Sequence, residues 1–66
     1  MRTIKVLEDL TAFDYLSKGS TYTIESMNGG KYDQIYFTNT ERNSGTYLRE
    51  ARVKKLLREG SIIFID

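Results

Sequence analysis

Hydrophobic and polar residues alternate in two segments of the first half of the chain. In TIKVL, Ile4 and Val6 share one face, and in STYTIES, Tyr22 and Ile24 share one face. Alternation with a period of two is typical of a β-strand with one buried face. β-Branched and aromatic residues favour such a surface. Both segments are therefore predicted strands.

A hairpin is predicted after the second strand. MNGGK contains Asn-Gly, whose residues accept the positive φ angles of tight turns. The returning strand is KYDQIYFTN, with Ile35 and Phe37 on one face. The opposite face carries Tyr32, Gln34 and Tyr36. A second polar turn, NTERNSG, leads to a short fourth strand, TYL.

The hydrophobic spacing changes in REARVKKLLREG, which predicts a helix at about residues 49–59. At about 100° per residue, Val53, Leu56 and Leu57 fall within one arc of the helix surface. Gly60 follows this segment and is suited to the left-handed conformation that ends many helices.

The segments on either side of this helix are also apolar. Thr46 could cap the helix and draw TYL into its first turn, but a strand is preferred because Leu48 would point away from the apolar arc. The chain closes with SIIFI, a predicted strand with apolar residues on both faces. That pattern is typical of a central or doubly covered strand.

Five short strands and one helix predict a mainly β fold of the α+β kind, in a single domain over residues 1–66. Closing such strands into a small barrel removes exposed sheet edges. A long segment, EDLTAFDYLSKG, separates the first two strands. We expect its residues Leu10, Phe13 and Leu16 to be core residues that plug one end of the barrel.

The stretch AFDYLSKGSTYTI resembles the first connection of the Src-homology-three-like barrel, a long irregular hairpin that ends in a Lys-Gly turn. The resemblance implies a five-stranded barrel with the helix between strands four and five. Peptide-binding members build a polyproline groove from paired Trp residues and a Pro-Ser-Asn-Tyr segment. This chain has no Trp and no Pro, so polyproline binding is not implied.

Composition restricts the available chemistry. The chain has no His and no Cys, which removes the commonest general base, the thiol nucleophile and the usual transition-metal ligands. Glu8, Asp9 and Asp14 could meet across the long loop as a carboxylate pair or a weak calcium site, but solvated loop acids explain them more simply. NGGK lacks the phosphate-loop pattern. We expect no enzymatic activity, no cofactor and no metal.

Positive charge is concentrated in the predicted helix. Residues 49–59 hold five Lys or Arg and two Glu, a net charge of 5 − 2 = +3, against +1 for the whole chain. Phosphate contacts by such cations would make nucleic acid the alternative partner. The candidate nucleic-acid-binding residues are Arg52, Lys54, Lys55 and Arg58. An ordinary solvated helix face is the favoured explanation of these residues, since cations suit the C-terminal end of a helix.

Tyrosine is abundant, with five in 66 residues. Exposed Tyr is enriched at protein interfaces, but Tyr also simply suits small sheets or packs beneath a helix. We expect a non-enzymatic small binding module that docks on a protein partner through Tyr32, Tyr36 and the helix surface. Size and composition resemble small phage or prophage products that act by docking on a host protein. A self-associating structural protein is a third alternative, because SIIFI would be hazardous as an uncovered edge.

The sequence also bears on location. No apolar run approaches the roughly 18 residues of a membrane span. Glu8 and Asp9 stand where a signal peptide would continue its apolar stretch. We therefore expect a cytoplasmic protein without membrane contact, as a monomer or a weak homo-oligomer.

Overall fold

A computed structural model describes residues 1–25 and 33–66 and contains a five-stranded antiparallel sheet with one helix. The strands are β1 (Arg2–Val6), β2 (Thr21–Ile24), β3 (Gln34–Asn39), β4 (Gly45–Arg49) and β5 (Ile62–Phe64), and the helix is α1 (Glu50–Glu59). The predicted turn MNGGK and Tyr32 lie outside the described residues. The mainly β fold with a helix before the last strand is confirmed.

The strands lie in the order β4-β3-β2-β1-β5, so β4 and β5 form the two edges of the sheet. Each neighbouring pair is antiparallel. Within the described residues no ladder joins β4 to β5, and the sheet is open. Closure into a barrel therefore stays a prediction.

Helix α1 connects the two edge strands. It begins at Glu50, immediately after the last residue of β4, so the predicted strand at TYL is confirmed and Thr46 is not its cap. Its last residue is Glu59, and the following Gly60 has a left-handed φ of 79°, as predicted. The helix contacts β3, β4 and β5. One side of the open sheet is thereby covered between its edges.

Buried side chains from all five strands, the long loop and α1 form one core. Its hydrophobic members are Ile4, Val6, Leu16, Tyr22, Ile24, Ile35, Phe37, Leu48, Val53, Leu56 and Ile62. Every strand residue predicted to face inward in the first three strands belongs to this core. On the helix, Val53 and Leu56 are buried as predicted, and Leu57 is partly buried at its margin.

The long loop between β1 and β2 differs from the prediction at one position. Leu16 is fully buried and Leu10 packs against the core, but Phe13 is 87% exposed. The expectation that Phe13 is a core residue is therefore wrong. The physical reason is that Asp14 takes the inward position, where its carboxylate is ion-paired with Arg52. Its neighbours Phe13 and Tyr15 therefore face solvent.

The last strand also differs from its prediction. β5 is an edge strand, and Ile63 and Ile65 are exposed. The expectation of a central or doubly covered strand is wrong. Apolar residues on both faces indicate double coverage when helices lie on both sides of a sheet. Here the described part of the chain contains one helix, and it covers only the side on which Ile62 is buried.

Candidate protein-docking surface

Two tyrosines are paired on the outer face of the sheet. Tyr36 of β3 lies directly opposite Tyr47 of β4. The ring centroids are 4.5 Å apart at an interplanar angle of 41°. The residues are 43% and 63% exposed, respectively. Ile35 precedes Tyr36, Leu48 follows Tyr47, and both of these neighbours face inward. Strand alternation therefore directs both tyrosine rings away from the core.

The ring of Tyr36 also covers a neighbouring glycine. A Cβ atom built on Gly45 would lie 2.6 Å from both Cζ and Oη of Tyr36. The ring therefore lies across the backbone of β4, where any side chain at position 45 would displace it. An aromatic ring packed over an edge-strand glycine helps to hold the strand register. We call Tyr36, Tyr47 and Gly45 the tyrosine surface.

The structure places one of the two predicted docking residues. Tyr36 is on the outer face as predicted, whereas Tyr32 lies outside the described residues. Sequence reasoning missed Tyr47. The available signal was Leu48: once this residue is assigned an inward position in the strand TYL, its neighbour must face outward.

Arg52, the first candidate nucleic-acid-binding residue, is bound to the long loop. Its Nε and an Nη donate hydrogen bonds of 3.1 Å and 2.8 Å to the two carboxylate oxygens of Asp14. The hydrogen bond to Asp14 raises the pKa of Arg52 above its ordinary value. Asp14 is buried. This bidentate geometry fixes both side chains. The guanidinium therefore joins α1 to the long loop.

Two further cations of the helix are also ion-paired within the chain. Lys54 Nζ lies 3.3 Å from Glu50 Oε1, which confirms the supportive i,i+4 pair at that position, and Lys55 Nζ lies 3.9 Å from Glu59 Oε1. Arg58 is exposed in the last turn of α1. Neighbouring carboxylates reduce the positive potential that a phosphate backbone would meet.

The three acids of the long loop bind different groups. Ser61 Oγ donates to Glu8 Oε2 at 3.0 Å. Asp9 accepts hydrogen bonds from the backbone N–H and hydroxyl of Thr11, which hold its pKa below the ordinary value. Asp14 binds α1 as described above. In the ranges 1–25 and 33–66, no group of three acidic side chains could hold a metal ion.

A shallow depression lies where β4 joins α1. Its lining residues are Asp33, Arg49, Glu50, Ala51 and Lys54. Two carboxylates and two cations line it, so it favours neither anions nor cations.

Comparisons with protein-family models, with curated proteins and with solved structures found no match for this chain. The described part of the chain holds no helix with the length and apolar character needed to cross a membrane. The function is therefore inferred from the geometry of the molecule itself.

Proposed function

We propose that this protein is a non-enzymatic binding module that docks on another protein through the tyrosine surface. The observation that carries the proposal is the exposed, cross-strand pair Tyr36 and Tyr47. Tyrosine offers a large contact area and loses little side-chain entropy on binding. Because the two rings already lie against each other and Tyr36 rests on Gly45, docking requires little reordering. Tyr32, which the sequence predicts on the same face, would extend this surface.

The proposal of nucleic-acid binding by Arg52, Lys54, Lys55 and Arg58 is the weaker alternative. Phosphate contact by Arg52 would have to break its bidentate bond to buried Asp14. Lys54 and Lys55 would have to exchange carboxylate partners for phosphates. Such exchange reduces the gain from counterion release. The absence of His and Cys from the chain supports a function without catalysis.

Affinity capture from the native host, on nuclease-treated extract, can test protein docking. Each captured protein is purified, and its dissociation constant is measured with the parent, a Tyr36→Ser/Tyr47→Ser variant and a Tyr15→Ser control. Tyr15 is exposed but lies outside the tyrosine surface. We expect the double variant to bind about 30-fold more weakly or worse, because aromatic anchors contribute about 2 kcal/mol or more.

The control should bind within about twofold of the parent, and melting temperatures should confirm that all three chains are folded. Equal affinity of the parent and the double variant would contradict docking through this surface. An equal loss in the Tyr15→Ser control would likewise assign the contact to another part of the molecule.

A salt titration tests the alternative. Single-stranded and duplex nucleic acid are titrated at two salt concentrations with the parent and a Lys54→Glu/Lys55→Glu variant. We expect only weak, non-specific binding, on the order of 10⁻⁴–10⁻⁶ M at physiological salt. Sub-micromolar binding that the double variant loses would make nucleic acid the partner.

We also propose that the open sheet curves towards a Src-homology-three-like barrel, with α1 covering the gap between its edges. The three principal extents of 27, 26 and 25 Å support a curved rather than a flat sheet. Scalar couplings across amide hydrogen bonds should detect the four neighbouring strand pairs and none between β4 and β5. Couplings between β4 and β5 would instead show a closed barrel. A phage or prophage origin and a cytoplasmic location are proposals that rest on size and composition alone.

A further inference from the structure

The outer edge of β4 carries backbone groups that point away from β3. The N–H of Asn39 donates to the carbonyl of Ser44 at 2.8 Å, so these residues form a hydrogen-bonded pair at the end of the β3–β4 ladder. Bonded and non-bonded pairs alternate along an antiparallel ladder. Gly45, Tyr47 and Arg49 are therefore in non-bonded pairs with β3. Their N–H groups point to the free edge.

The opposite edge of the sheet differs. At β5, the N–H of Leu7 donates to the carbonyl of Ser61 at 2.9 Å. The same alternation directs the backbone groups of Ile62 and Phe64 away from β1. Ile62 is 0% exposed and Phe64 is partly buried, so this edge is largely covered. On β4, Tyr47 and both of its same-face neighbours are exposed. Of the two described edges, β4 is therefore the more accessible.

We propose that two copies of this chain pair edge to edge through antiparallel β4 strands centred on Tyr47, which gives a ten-stranded sheet. In this register Tyr47 lies opposite Tyr47 of the second copy, and Arg49 lies opposite Gly45 of the second copy. Two hydrogen bonds join the Tyr47 backbones, and each Arg49 N–H donates to a Gly45 carbonyl. The inference goes beyond the proposed function, which uses the face of β4 and not its edge.

The residues that this register brings together are complementary. Arg49 of one copy lies opposite Gly45 of the second copy, and the Tyr36 ring of the second copy covers that glycine. The guanidinium can therefore stack on this ring as a cation–π contact. The two Arg49 residues lie at opposite ends of the shared ladder, four residues or about 13 Å apart along the strands. That distance exceeds the Debye length of about 8 Å at physiological ionic strength. A chain net charge of +1 adds little repulsion between copies.

Pairing would also enlarge the docking surface. The rings of Tyr36 and Tyr47 and those of the second copy would form one continuous row on the outer face of the ten-stranded sheet. Because the shared edge is short, we expect a weak dimer, with a dissociation constant on the order of 10⁻⁵–10⁻⁴ M.

Sedimentation equilibrium over a range of protein concentrations tests the dimer with the parent, Arg49→Pro and Arg49→Ala. Arg49 has φ −70° and ψ 145°, and its side chain makes no capping hydrogen bond. Proline adopts the same φ, and the N–H that it removes is unbonded within the described part of the monomer. Arg49→Pro should therefore fold and dimerise at least about tenfold more weakly than Arg49→Ala, which keeps the N–H.

A parent that stays monomeric at millimolar concentration would overturn the proposal, as would equal dimerisation by the Pro and Ala variants. A sample mixed from ¹³C-labelled and unlabelled chains tests the register. We expect an intermolecular nuclear Overhauser effect between the Hα atoms of Thr46 and Leu48, the non-bonded pair of this arrangement. Intermolecular nuclear Overhauser effects at Ile63 of β5 instead would overturn the proposed pairing through β4. Heterologous docking is measured separately, so either proposal can fail without the other.

Discussion

At the scale of single residues, Gly60 stands where backbone conformation alone sets the outcome of a substitution. Its φ is 79°, and a Cβ atom built on it would have nothing within 4 Å. The cost of a side chain here is therefore left-handed strain without steric overlap. Gly60→Val should lower the free energy of unfolding by about 1–2 kcal/mol, as measured by urea denaturation. Gly60→Asn is the matched control and should cost less, because Asn tolerates this region. Equal costs for both variants would contradict this account.

Asp66 predicts a pH dependence. The hydrogen bond from Arg2, and then the backbone N–H of Thr3, lower its pKa below the ordinary value of 3.8. A carboxyl with a depressed folded-state pKa contributes stability above its unfolded pKa. That contribution is lost as the pH falls from about 3.8 through the lowered value. Titration followed by NMR at the Asp66 carboxyl carbon should give a midpoint below 3.8 in the parent. The midpoint should move up in Arg2→Ala, and an unchanged midpoint would contradict the assigned cause.

At the scale of elements, α1 is attached to the sheet mainly through its buried arc. Leu56→Ala removes a fully buried side chain and should cost about 2–5 kcal/mol of unfolding free energy. Leu57 is only partly buried, and Leu57→Ala should cost clearly less. Chemical denaturation of the two variants provides the comparison. If Leu56→Ala unfolds like the parent, α1 is not docked on the sheet.

The long loop gives a second contrast between neighbouring residues. Leu16→Ala should be destabilising by about 2–5 kcal/mol, whereas Phe13→Ala should change stability by no more than about 0.5 kcal/mol because Phe13 faces solvent. Backbone hydrogen bonds join Leu10 and Leu16 in both directions, so these amides should resist exchange. A large loss of stability in Phe13→Ala would restore the barrel-plug interpretation.

Periodicity was sufficient to predict most elements, and its failures have local causes. Ile4, Tyr22 and Phe37 lie in strands where one face is buried, so a period of two identified that face. The prediction for Phe13 is wrong because an apolar residue on a loop need not lie in the core. The inward position went instead to Asp14, whose ion pair depends on a helix residue 38 positions away. Hydrophobic pattern carries no information about such a pairing.

At the scale of the whole molecule, the pair Asp14 and Arg52 joins the long loop to α1. Arg52→Ala would leave the buried carboxylate without its two donors. We expect a loss of about 1–3 kcal/mol of unfolding free energy, after allowance for the partial exposure of the arginine. Arg58→Ala, on the exposed face of the same helix, is the control and should stay within about 0.5 kcal/mol. Thermal denaturation at neutral pH compares them, and equal melting temperatures would contradict a structural role for the pair.

The candidate site was only partly predictable, for a related reason. Tyr36 could be assigned to the outer face from its own strand, because alternation needs no tertiary information. The pairing of Tyr36 with Tyr47 depends on the register of two strands joined by a turn. The position of the Tyr36 ring over Gly45 depends on the rotamer that this register allows. For Lys54, the pairing with Glu50 was visible as an i,i+4 spacing, whereas the bond from Arg52 to the loop was not.

The junctions of α1 also constrain how the chain can change in length. No residue connects β4 to α1, and two residues, Gly60 and Ser61, separate α1 from β5. An insertion within the helix would rotate the following residues by about 100°, which would carry Leu56 out of the core. The turn at 41–43 is exposed and lies outside the strands. Natural versions of this chain should therefore gain or lose residues at 41–43 and keep a constant spacing from 49 to 61.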